Sequence, residues 1–138
     1  MIGTIDRSEG DAVLQVLYSG DTGELELSGT RQGLLVFGQL LRGRAGSCGL
    51  SENQRPFPYE RSLSGIALLE DPERATVSIV TEARIVRIQG GRDALDLFAE
   101  NVESFASEAD ASDHCHVDFP TCDYIAPESD PLVMAFMK

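Results

Sequence analysis

Shifted by 61 residues, the chain falls on itself: Leu27, Gly29, Arg31, Leu34, Phe37 and Leu41 meet Ile88, Gly90, Arg92, Leu95, Phe98 and Val102. Each set begins on a strand pattern, crosses a glycine and continues at the three- and four-residue steps of a helix. Two such units predict an α+β fold in which each helix buries one apolar stripe. The shift is compatible with an internal ββαβ duplication, with both helices packed on one face of a mostly antiparallel sheet of about seven strands. The competing explanation is coincidence, because strand-to-helix junctions tend to share a glycine and helical periodicity.

Seven segments read as strands. Residues 12–18 and 24–27 flank Gly20, Asp21, Thr22 and Gly23, which predicts a hairpin. Leu25 and Leu27 alternate with Glu24 and Glu26, so the second strand buries one face, and Gly29 breaks it. Helix one spans residues 30–42 with Thr30 as N-cap. Residues 43–61, with Gly46, Gly49, Pro56 and Pro58 and no periodic pattern, read as a long surface loop. Residues 63–69, 76–81 and 84–88 are three further strands, closed by Gly90 and Gly91. Helix two covers 92–108, with Leu95, Phe98, Ala99, Val102, Phe105 and Ala106 as its stripe. Residues 112–119 alternate, placing Cys115, Val117 and Phe119 on a buried side and His114, His116 and Asp118 on a polar one. The apolar run 132–137, entered through Pro131, reads as a central strand covered on both faces.

A chain of 138 residues suits one domain, residues 1–138, that buries roughly 70% of its unfolded surface. The three cysteines, Cys48, Cys115 and Cys122, form no CxxC pair, which argues against a disulfide framework and a zinc ribbon. The sole lysine is Lys138, so an internal P-loop lysine is excluded, and GxSxG, HExxH and GxGxxG are absent. Residues 1–10 hold no apolar stretch of signal-peptide length, which predicts an unprocessed cytoplasmic protein.

Charge is the main pointer to function. The net charge of −12 disfavours direct contact with a nucleic-acid backbone. Residues 91–138 hold 11 of the 23 acidic side chains and only two basic ones, which concentrates the field C-terminally. Asp96, Glu100 and Glu103 lie off the apolar stripe of helix two and could dock a basic protein, or form an ordinary solvated face. His114 and His116 stand about 7 Å apart at their bases, close enough to share a zinc ion with bonds of about 2.1 Å. Asp118 begins about 13 Å from His114 and is poorly placed as a third ligand, so Cys122, Asp123 or Glu128 would have to fold back. The plainer reading is the exposed polar face of an ordinary strand, with the His side chains bonded to backbone or carboxylate neighbours.

The block His114-Cys115-His116-Val117-Asp118, followed by Glu128-Ser129-Asp130-Pro131-Leu132-Val133, resembles a family of bacterial polymorphic-toxin immunity proteins, immunity protein family thirty-two. Residues 25–41, with Gly29, Gly33 and Leu34, are similar to the family's strand ending in glycine and its helix opening with Gly-Leu. The resemblance covers about half of the chain and leaves residues 43–89 unmatched. It implies a small cytosolic α+β protein that binds and blocks a toxin domain without catalysis, cofactor or membrane.

The expectation is therefore an acidic, non-enzymatic protein that neutralises a basic toxin domain through Asp96, Glu100, Glu103, His114, His116 and Asp118. The alternative is a metal-binding module or metal-dependent enzyme centred on the His-x-His strand. A third reading is a structural or regulatory domain that assembles through exposed strand edges, and the oligomeric state is left open.

Overall fold

A computed structural model describes residues 12–52, 59, 61–110 and 113–137. Among these residues the chain forms nine strands and two helices. The first half runs β1 (Leu14–Tyr18), β2 (Leu25–Gly29), α1 (Arg31–Arg42), β3 (Ala45–Gly49), β4 (Arg61–Ser62) and β5 (Gly65–Glu70). The second runs β6 (Val77–Glu82), β7 (Ile85–Gly90), α2 (Arg92–Glu108), β8 (His114–Val117) and β9 (Leu132–Phe136). Pro56, Pro58 and Ser112 lie outside the described residues.

The fold is α+β and mostly antiparallel, but its strands form two sheets rather than one: β4-β1-β2-β9-β8 and β3-β5-β7-β6. The division follows from an exchange between the halves. Hairpin β1–β2 pairs with the last strand of the second half, β2 running parallel to β9, while hairpin β6–β7 pairs with β5 of the first half, β7 running parallel to β5. The registers repeat. Gly29 faces Leu14 and Phe136, and Gly90 faces Val77 and Glu70. Beyond those strands, Met137 N–H donates to the Gly29 carbonyl as Asp71 N–H does to that of Gly90, at 2.8 and 2.7 Å. Each half is thus ββαββ, with the two-residue β4 added to the first.

The helices follow from their sequences. Thr30 Oγ1 accepts from Gly33 N–H at 3.2 Å, the predicted N-cap. The two apolar stripes bury Leu34, Phe37, Leu41, Leu95, Phe98, Ala99, Val102 and Ala106, and Phe37 meets Phe98 edge to face with centroids 5.6 Å apart. The helices thus pack on each other through equivalent phenylalanines.

Arginine ties these helices at both ends. Arg31, the first residue of α1, donates to the carbonyls of Ala106 and Ala109 at the end of α2, at 2.6 and 3.3 Å. Arg92, the first residue of α2, donates to the carbonyls of Leu41 and Gly43 at the end of α1. The last carbonyls of a helix lack intrahelical partners and carry the negative end of its dipole, so a guanidinium satisfies both demands. The helices therefore run antiparallel, each start capping the other's end.

Three local expectations change. Residues 43–61 contain β3 and the start of β4 instead of an unbroken loop. Strand β3 is held by backbone bonds to β5, including Glu70 N–H to the Arg44 carbonyl at 2.7 Å, and its small side chains bury too little to produce a readable alternation. Strand β8 stops at Val117, where the Asp118 carbonyl accepts from Cys122 N–H at 2.7 Å and turns the chain. Phe119 is consequently 49% exposed rather than buried. Gly29 ends β2 from within the ladder instead of interrupting it. Strand β9 lies between β2 and β8 and is buried from Leu132 to Ala135, as its continuous apolar run predicted.

Candidate protein-binding surface

The acidic positions of α2 are partly spent inside the fold. Arg42 grips Glu103 with both ends of its guanidinium, at 2.8 and 3.1 Å, and reaches Asp96 at 3.6 Å. Asp96 also receives Arg92 Nε at 3.1 Å. The hydrogen bond from Arg42 holds the Glu103 carboxyl below the usual carboxylate range, and the same bond raises Arg42. Glu100, one turn away, is exposed. The remaining C-terminal acids divide similarly. Glu128 meets Arg74 at 3.3 Å, Asp130 accepts from Thr81 N–H at 2.9 Å, and Asp113 accepts from Asp110 N–H at 2.8 Å. The C-terminal charge is therefore not one free surface.

His114 and His116 project from β8 as expected and are exposed. The register sets them beside Ala135 and Val133 of β9, in an edge strand. Asp118 is half-buried, and its Oδ1 is buried without a hydrogen-bond partner among the described residues. Cys122 Sγ donates to the His116 carbonyl at 3.7 Å. Burial, followed by the neighbouring Cys122, pushes the Cys115 thiol up, so at neutral pH it behaves as a small apolar group. Among the described residues no three His, Cys, Asp or Glu side chains converge in a way that could hold a metal ion.

The six expected residues thus form two clusters. Asp96, Glu100 and Glu103 share the face of α2 that meets Arg42. The face next to β8 lies roughly 120° further round the helix. There a groove of 400 Å³ opens between α2 and β8, lined among others by Asn101, Phe105, Glu108, Asp113, His114 and Cys115. One wall is held by Asn101, whose Nδ2 donates to the hydroxyl of Tyr124, whose ring lies tilted against Phe98 with centroids 6.1 Å apart. The helix and the strand that border the groove were both expected from sequence, but not that they lie side by side.

The four sheet edges are unequal. Strand β6 is covered by the segment 124–130: Val77 N–H donates to the Tyr124 carbonyl at 2.8 Å, Ala126 N–H to the Val77 carbonyl at 2.7 Å, and Ile79 N–H to Ser129 Oγ at 3.0 Å. Strand β4 runs only two residues. Strands β3 and β8 end their sheets with no further strand beside them among the described residues. Unpaired edges invite another chain.

Among the described residues no helix is long and apolar enough to cross a membrane. A family model described as Immunity protein 32 matches residues 24–55 and 85–136, more than half of the chain. These segments carry β2, α1 and β3, then β7, α2, β8 and β9, and so include both arginine caps and both open edges. No curated protein and no solved structure matches the chain.

Proposed function

The chain belongs to the Immunity protein 32 family, and from that membership we propose that it binds a bacterial toxin domain in the cytoplasm and blocks it by occlusion, without catalysis or cofactor. The partner is basic. What supports this is the charge concentrated in residues 91–138, of which Glu100, Glu108 and Asp110 are exposed and take part in no ion pair among the described residues. Complementary charge accelerates association well beyond the neutral rate of about 10⁵ to 10⁶ M⁻¹s⁻¹. The contact surface comprises Glu100, His114, His116 and Asp118, with Asp96 and Glu103 bordering it while anchored to Arg42.

The test is a calorimetric titration of the full chain with the C-terminal domain of the large protein encoded beside it, at low and moderate salt. Nanomolar affinity that weakens with salt is expected. Glu100→Lys should slow association about tenfold at low salt without moving the unfolding midpoint. An undiminished rate would remove the acidic helix from the contact, and a lack of binding would overturn the immunity reading.

A further inference from the structure

We infer that the toxin presents an extended, cationic segment that adds itself as a further strand to the open edge of β8, its alternate side chains entering the groove beside α2. This rests on the immunity reading above and specifies how the partner docks.

The backbone at β8 is available. The Asp113 carbonyl accepts from Phe136 N–H at 3.2 Å, so strand alternation turns the amides and carbonyls of Cys115 and Val117 toward β9 and those of His114 and His116 outward. Among the described residues the His116 carbonyl is engaged on that side by the weak Cys122 thiol, and the Asp118 carbonyl just past the strand by Cys122 N–H, which leaves the His114 amide and carbonyl and the His116 amide open. Main-chain bonds to such an edge supply affinity, and pockets for alternate side chains supply specificity.

The neighbouring groove gives the added strand a chemistry. A strand laid beside β8 covers it and drops every second side chain, about 7 Å apart, toward α2. Phe105 and Cys115 offer an apolar surface to the aliphatic stem of Arg or Lys. Glu108 and Asp113 meet the charged head, and among the described residues no Lys or Arg lines the groove, whose one imidazole is that of His114. Strand β3 supplies an internal control. Its outward residues Ala45, Ser47 and Gly49 also face no strand, but they stand beside Arg44 and carry no carboxylate.

The experiment combines amide hydrogen exchange on the full chain, free and bound to the same toxin domain, with calorimetry of three variants. In the complex the amides of His114 and His116 should become protected while those of Ala45 and Ser47 keep their free rates. His116→Pro removes an outward amide that β9 does not use, and should weaken binding by about 30-fold or more. Ser47→Pro at the matching place on β3 should change affinity less than about twofold, and Glu108→Lys should weaken it about tenfold, more at low salt. Tight binding by the wild type without protection at His114 and His116, or with undiminished affinity in a folded His116→Pro chain, overturns strand addition. Should His116→Pro fail to fold, the exchange pattern of the wild type decides. Absence of binding by the wild type instead overturns the immunity reading, so the two failures are distinct.

Discussion

The two halves of this chain place an arginine at the same point and surround it differently. Arg92 sits at the start of α2 beside the end of β5, where Glu70 receives it at 2.9 Å and Asp96 adds a second carboxylate at 3.1 Å. Arg31 sits at the start of α1 beside the end of β9, where the equivalent position is Phe136, whose ring centroid lies 5.1 Å from the guanidinium carbon. Both cap the opposite helix, but one is completed by charge and the other by an aromatic face. The repeated framework thus presents the same backbone demand in both halves, orphan carbonyls at a helix end, while the side chains that support the cap differ. The open edges diverge in the same way, small and neutral on β3 and histidine-bearing beside acids on β8.

The comparison breaks most easily where helix meets loop. A Cβ on Gly33 would stand 1.9 Å from the Val13 carbonyl oxygen, and one on Gly91 would stand 2.1 Å from that of Arg74. Both obstacles are backbone and cannot swing aside. Gly33→Ala and Gly91→Ala should each lose about 3 kcal/mol or more, read as a fall in the urea midpoint. A loss under about 1 kcal/mol at either site would show that one junction yields and that the halves differ in rigidity.

The arginines should rank next. Arg92→Ala strands a Glu70 side chain that is only 20% exposed, and should cost about 2 to 3 kcal/mol. Arg31→Ala leaves carbonyls and a ring, and should cost about 1 kcal/mol. Denaturation of both variants checks the order, and equal or reversed losses would refute the asymmetry drawn from Glu70 and Phe136.

The smallest effect belongs to the latch that sharpens the contrast on the outer face of α2. Glu103 titrates below its ordinary value because Arg42 donates to its charged form. Its contribution is therefore complete above the unfolded carboxylate pKa and lost as pH falls through the lowered folded one. Both side chains are well exposed, 41% and 37%, so the effect on stability is slight and screened by salt. Carboxyl-carbon resonances should show Glu103 titrating higher in Arg42→Ala than in the wild type, and an unchanged titration would dissolve the latch.

Much of the local structure was legible from residue order. The limits of α2, the Thr30 cap, the first hairpin and the covered strand β9 follow from patterns contained in a few turns of chain. The repeat that aligns Arg31 with Arg92 was legible as well, though not what the arginines touch. Strand β3 escaped because Ala45, Gly46, Ser47 and Gly49 carry no hydrophobic alternation, and Phe119 escaped because a backbone bond at Asp118 ended the strand early. Of the expected binding residues, exposure was foreseen for Glu100, His114 and His116. The ties of Asp96 and Glu103 to Arg42 were not, since their partner lies 54 and 61 positions away.

By itself, then, the sequence determined which segments are helical or extended, which faces they bury and where negative charge accumulates, since each depends on spacing within one element. Only the tertiary structure decided that the halves exchange strands into two sheets, that part of the acidic charge is consumed by Arg42 and Arg74, and that β8 is an open edge beside a groove. Those outcomes depend on pairings between distant segments, where backbone hydrogen bonds are the same whatever the side chains. Competing registers are separated only when all buried faces are satisfied together.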